Sequence, residues 1–134
     1  MLGMRLRRRE ISMSGAERPS EPASAQEVAE RARQRGVAAH VLDGSELVTK
    51  RHALDGIAAA LSFPEWSGRN LDALHDCLTD LCWLPEGEHL LVWSGHQALA
   101  EQDPKAYRRI TDTLVEATRE PMCGRTLSVA FTRD

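Results

Sequence analysis

The sequence predicts an α/β domain: a small parallel sheet with helices packed against it. Three observations carry that expectation. Short apolar runs bounded by turn residues stand at 37–42, 89–93 and 126–131. The segments between them place apolar residues at i, i+3, i+4 and i+7, the period of a helix with one buried face. Each interval is also too long for a hairpin, so successive strands are joined through helical crossovers and run parallel. A chain of 134 residues, 42% apolar and 28% charged, suits a single globular domain of this kind.

The elements follow in order. Residues 1–23 lack periodicity and contain Pro19 and Pro22, so a disordered tail is expected there. Residues 24–36 offer a short helix or linker, opening at Ser24 or Ala25 and closing at Gly36. Its apolar positions, Ala25, Val28, Ala29 and Ala32, make a weak stripe, from which loose docking or none is expected. The domain proper is expected over 37–134. Val37–Leu42 reads as a strand turned by Asp43-Gly44, with His40 a histidine at the core edge. Thr49 suits the N-cap of a helix reaching Ser62, whose stripe is Leu54, Ile57, Ala58 and Leu61.

Phe63–Trp83 is the stretch around which the chain is organised. Phe63-Pro64 turns the backbone, and Asn70 can cap a helix by accepting from a free first-turn amide. Leu71, Leu74, Cys77, Leu78, Leu81 and Cys82 fall on one side of that helix. Asp72, His75, Asp76, Thr79 and Asp80 fall on the other, an acidic front to an apolar back. Beyond it, Pro85–Gly87 is a turn and His89–Trp93 a buried strand. Gln97–Ala100 forms a helical turn, and Asp103-Pro104 starts a helix to about Arg119 with Tyr107, Ile110, Leu114 and Ala117 inward. Pro121–Arg125 breaks it, and Thr126–Phe131 is the last strand.

Composition and motifs exclude several functions. The net charge of −3 divides into +3 over residues 1–36, −1 over 37–62, −5 over 63–90 and zero over 91–134. The basic start has no interleaved aromatics and carries its own glutamates, so a solvated tail is expected rather than nucleic-acid binding. No run of about 18 apolar residues is present, so no membrane helix is expected. The basic start leads into an acidic, Ser- and Pro-containing stretch, so no secretory leader is expected either. Cys77, Cys82 and Cys123 are odd in number and show no C-x-x-C spacing; the first two fall on an apolar helix face and read as small hydrophobes, and the protein reads as reduced and cytoplasmic. There is no phosphate-binding glycine loop, no H-E-x-x-H and no G-x-S-x-G elbow, so neither cofactor nor metal is expected. An enzyme would have to rest on carboxylates. Asp72, His75 and Asp76 could serve a metal-assisted hydrolase, but such a site needs more oxygen ligands and a pocket. The acidic front itself keeps two readings open. Asp72 complements the positive end of the helix dipole, whereas Asp76 and Asp80 lie progressively away from it. Carboxylates four apart on a helix repel each other, so their accumulation suits a face that meets a basic partner.

The run FPEWSGRNLDALHDCLTDL resembles the loop and second helix of the barstar family, intracellular inhibitors of a secreted bacterial ribonuclease. Pro64, Glu65, Gly68, Asn70–Leu74 and Asp76–Thr79 match without a gap, and the likeness extends over 37–131. The resemblance implies a two-layer fold with a three-stranded parallel sheet, and an inhibitor that plugs a basic ribonuclease active site and catalyses nothing. It implies a central carboxylate at Asp76, a companion at Asp72, a supporting acid at Glu116 and an aromatic anchor at Trp66. The expected binding face is therefore Trp66, Asn70, Asp72, His75, Asp76, Thr79, Asp80 and Glu116, on a protein expected to be a monomer when free. The sequence departs from the family pattern at Arg69, His75, Asp80 and Leu81, where the family has glutamate, tryptophan, glycine and tryptophan. Arg69 would bring a like charge toward a basic enzyme. These departures also leave open a non-inhibitory module of the same fold that binds another basic partner.

Overall fold

A computed structural model of the chain describes residues 24–119 and 124–134. Within them the order is α1 (Ala25–Gln34), β1 (Ala38–Asp43), α2 (Lys50–Ala60), α3 (Leu71–Asp80), β2 (Gly87–Ser94), α4 (Gln97–Gln102), α5 (Pro104–Ala117) and β3 (Arg125–Phe131). The expected tail, and the expected break with Cys123, lie outside the described residues apart from Gly124 and Arg125. Among the described residues no helix is long and apolar enough to cross a membrane.

The strands form one parallel sheet in the order β1-β2-β3, with Leu91 of β2 beside His40 and Val129. The central strand is buried on both faces, and its alternate residues divide between two cores. Leu91 and Trp93 join Leu42, Leu127, Leu54, Ile57, Leu74, Leu78, Leu99, Ile110 and Leu114 in the main core under α2–α5. Leu90 and Val92 face the other way, against Ala25, Ala32 and Val37. The sheet and the α2–α5 helices are the two layers that the sequence implies, and α1 adds a cover on the opposite face.

That cover is well seated. Ser24 and Glu27 form a reciprocal capping box, each side chain bonding the other's backbone amide at 3.1 Å. The Ala25 amide donates to the Asp134 carboxylate at 3.1 and 3.2 Å, so the end of the chain satisfies another first-turn amide. Ala29 and Ala32 are fully buried. A stripe that looks weak on a hydropathy scale is effective here because alanine lets the helix lie close to the sheet.

At the far end of β1 the chain must turn tightly against β2. A Cβ on Gly44 would fall on the Trp93 indole and the Ser94 carbonyl, so only glycine fits there.

Candidate functional site

The segment 62–81 is a loop and helix held onto the body at both ends. It enters through Ser62 and leaves through Leu81, both in the left-handed region at φ 57° and 51°. The Trp83 indole N–H donates to the Leu61 carbonyl at 2.9 Å, and its ring meets Phe63 edge-on at 5.7 Å. Entry and exit are thus bonded to each other. The αL conformation of Leu81 ends α3 where glycine usually would, and the Leu81 amide still closes onto the Cys77 carbonyl. The turn carries the chain away before Cys82, which is exposed. Its expected place on the apolar face is corrected accordingly, since the helix stops two residues short of it.

The start of α3 is built as its sequence dictates. Asn70 Oδ1 accepts from the Ala73 amide at 2.8 Å, and Asp72 lies in the first turn. Leu74, Cys77 and Leu78 are buried, which turns the polar side of the helix outward. Asp76 is 85% exposed, and the His75 imidazole Nδ1 lies 4.0 Å from its Oδ1. Asp72 and Asp80 are exposed and enter no ion pair among the described residues. The Thr79 hydroxyl is turned back onto the helix, donating toward the His75 and Asp76 carbonyls at 3.0 and 3.2 Å. Trp66, at the tip of the loop, is 80% exposed.

Trp66, Asp76 and Asp80 come together around one shallow depression of about 130 Å³, completed by Ser67, Gly68, Ala73 and Cys77. Burial, and then Asp76 and Asp80, push the Cys77 thiol up, so it stays a protonated, neutral part of that surface. Glu116 does not line it. That residue is exposed near the end of α5, by a second depression formed with Asp112, Val115 and Arg119, although α5 itself packs on α3. Among the described residues no three His, Cys, Asp or Glu side chains are placed to hold a metal ion, so Asp72, His75 and Asp76 do not converge on one.

Arg69 does not point its charge outward, as the sequence suggested. Its Nε lies 3.0 Å from Asp55 Oδ1 on α2, and its Nη1 donates to the Ser67 carbonyl at 3.1 Å and hydroxyl at 2.9 Å. Asp55 is 14 residues away and off any helical spacing from Arg69, so no local pattern signals the pair. The lining role of Ser67, Gly68 and Ala73 is similarly silent, because small residues beside an aromatic carry no period.

The comparisons with known proteins agree with this architecture. The family model described as Barstar (barnase inhibitor) matches residues 37–131, which is most of the chain and includes β1–β3 and all of α2–α5. No curated protein matches the chain.

Proposed function

The chain belongs to the barstar family, and from that premise we propose that it inhibits a basic ribonuclease by seating the α3 face in the enzyme's active site. A ribonuclease site is cationic because it binds RNA phosphates, and helix carboxylates can occupy the same positions. The observation that carries the reading is the surface shared by Trp66, Asp76 and Asp80, an exposed aromatic beside carboxylates that have no strong cationic partner among the described residues. An exposed tryptophan with a rigid ring is the kind of anchor that concentrates binding energy. Asp72 extends the face along the helix. Glu116 is assigned a supporting role from α5, and His75 and Asp80 shape the rim where this chain departs from the family pattern.

Titration into a basic ribonuclease secreted by the same organism tests the assignment. Asp76→Ala should weaken inhibition at least about thirtyfold, the equivalent of losing one desolvated charge pair. Glu101→Ala, at an exposed position of α4, should leave it unchanged. Equal inhibition by the two variants would remove Asp76 from the site.

A second reading draws on Arg69, His75 and Asp80, where residues at or beside the face differ from the family pattern. On that reading the fold binds another basic protein without inhibiting. Binding to a basic ribonuclease with no loss of its turnover would favour this alternative.

A further inference from the structure

We infer that Arg69 is a positioning residue: it fastens the Trp66 loop to α2 through Asp55 and thereby sets the angle at which Trp66 meets a partner. The consequence for binding rests on the inhibitor reading above, whereas the fastening itself does not.

The geometry is that of a clamp. One edge of the guanidinium faces Asp55 Oδ1 at 3.0 Å, and Nη1 turns into the loop, onto the carbonyl and hydroxyl of Ser67 and toward the Gly68 carbonyl at 3.5 Å. Arg69 is only 28% exposed, whereas Arg51, whose Nε lies 3.3 Å from the same Asp55 oxygen, is 72% exposed. Arg51 is therefore a solvated companion and Arg69 the structural partner. The planar fork of arginine can hold a carboxylate and two loop oxygens at once, which a lysine ammonium on a flexible stem does poorly. Among the described residues the loop has few other restraints, one being the Ser67 hydroxyl against the Cys77 thiol. Ser67 N–H bonds the Pro64 carbonyl at 3.0 Å, Phe63 N–H bonds the Ala58 carbonyl at 2.8 Å, and Trp66 projects into solvent. A residue that must hold its bound orientation while exposed benefits from such a tether, because ordering it in advance removes a cost from binding.

The sign of the effect separates this role from a mere charge. If Arg69 acted as a like charge toward a basic enzyme, Arg69→Gln would speed association and tighten the complex. As a positioning residue, its loss should leave association nearly unchanged and speed dissociation about threefold to tenfold.

The deciding measurement uses the free protein. Backbone order parameters of residues 65–69 and of the Trp66 indole should be near rigid values in the wild type. They should fall toward about 0.6 in Arg69→Gln and in Asp55→Asn, with no further fall in the double variant. The urea midpoint should move little, because the pair is partly exposed. Unchanged order parameters in Arg69→Gln, or effects that add in the double variant, would overturn the proposal. Kinetics with the ribonuclease inhibited by the wild type then read the consequence. If no ribonuclease is inhibited yet the loop loosens, the functional reading fails while the clamp stands.

Discussion

Leu81 shows how one residue can carry two opposed energies. Its left-handed backbone costs a non-glycine residue about 1 kcal/mol, while its side chain is nearly fully buried, which stabilises by about 1.5–3 kcal/mol. Burial wins, so Leu81→Gly should destabilise the protein by about 1–2 kcal/mol in urea unfolding despite relieving the backbone. The apolar stripe made Leu81 legible as a core residue, but a side-chain pattern is silent about φ. His40 offers a second case. His89 Nε2 lies 2.7 Å from the Pro85 carbonyl and so carries its proton there, leaving Nδ1 to accept from His40 Nε2 at 2.9 Å. Burial, then His89 and then Arg33 hold His40 below its ordinary value of 6.5. Burial, and then Arg133, lower His96 from the same value. The unfolded chain takes up protons that the folded one refuses, so this stability is complete above about pH 6.5 and is lost as pH falls through the lowered folded values. Urea midpoints between pH 7 and about pH 5 should decline, and His40→Gln should flatten that slope. Asp43, held down by the Ser45 amide and hydroxyl, and Asp134, held down by Thr132 and the Ala25 amide, contribute in full above the ordinary 3.8 and lose that contribution only as pH falls through their lowered values.

Among the elements, α3 and α1 differ in how far the sequence reveals them. The α3 cap, stripe and acidic front all arise within one turn or two of the residues concerned, so Asn70 and the alternation of Leu74 with Asp76 announce them. Asn70→Ala should destabilise by about 1 kcal/mol by orphaning the Ala73 amide, and Asn70→Asp should retain the cap. The seating of α1 depends on contacts that local pattern cannot see: Leu90, Val92 and an Asp134 carboxylate that lies 109 residues from Ala25. Only the assembled sheet provides that surface. Since Ala29 and Ala32 have no space outside their methyl groups, Ala32→Leu should cost about 1–3 kcal/mol by overpacking, read as a lowered melting temperature.

Across the whole molecule, the parallel sheet and its helical crossovers were readable because three apolar runs are separated by helical periods too long for hairpins, whereas the order of the strands was not. What also escaped was the traffic between distant elements, such as Arg69 with Asp55. Charge is likewise a property of the whole: the −5 carried by residues 63–90 is concentrated in the segment bearing the proposed face, while the net charge is only −3. Association with a basic ribonuclease should therefore slow by about tenfold or more between low salt and 0.5 M, with dissociation far less affected. The Leu61–Trp83 bond has a further consequence. Since the segment from Ser62 to Leu81 leaves and rejoins the body at one sealed seam, its outward residues can be exchanged without disturbing the cores beneath. On the proposed function, such a cassette would let a lineage follow a drifting enzyme by surface changes alone, with Leu74, Leu78 and Leu81 kept to seat the segment in the core.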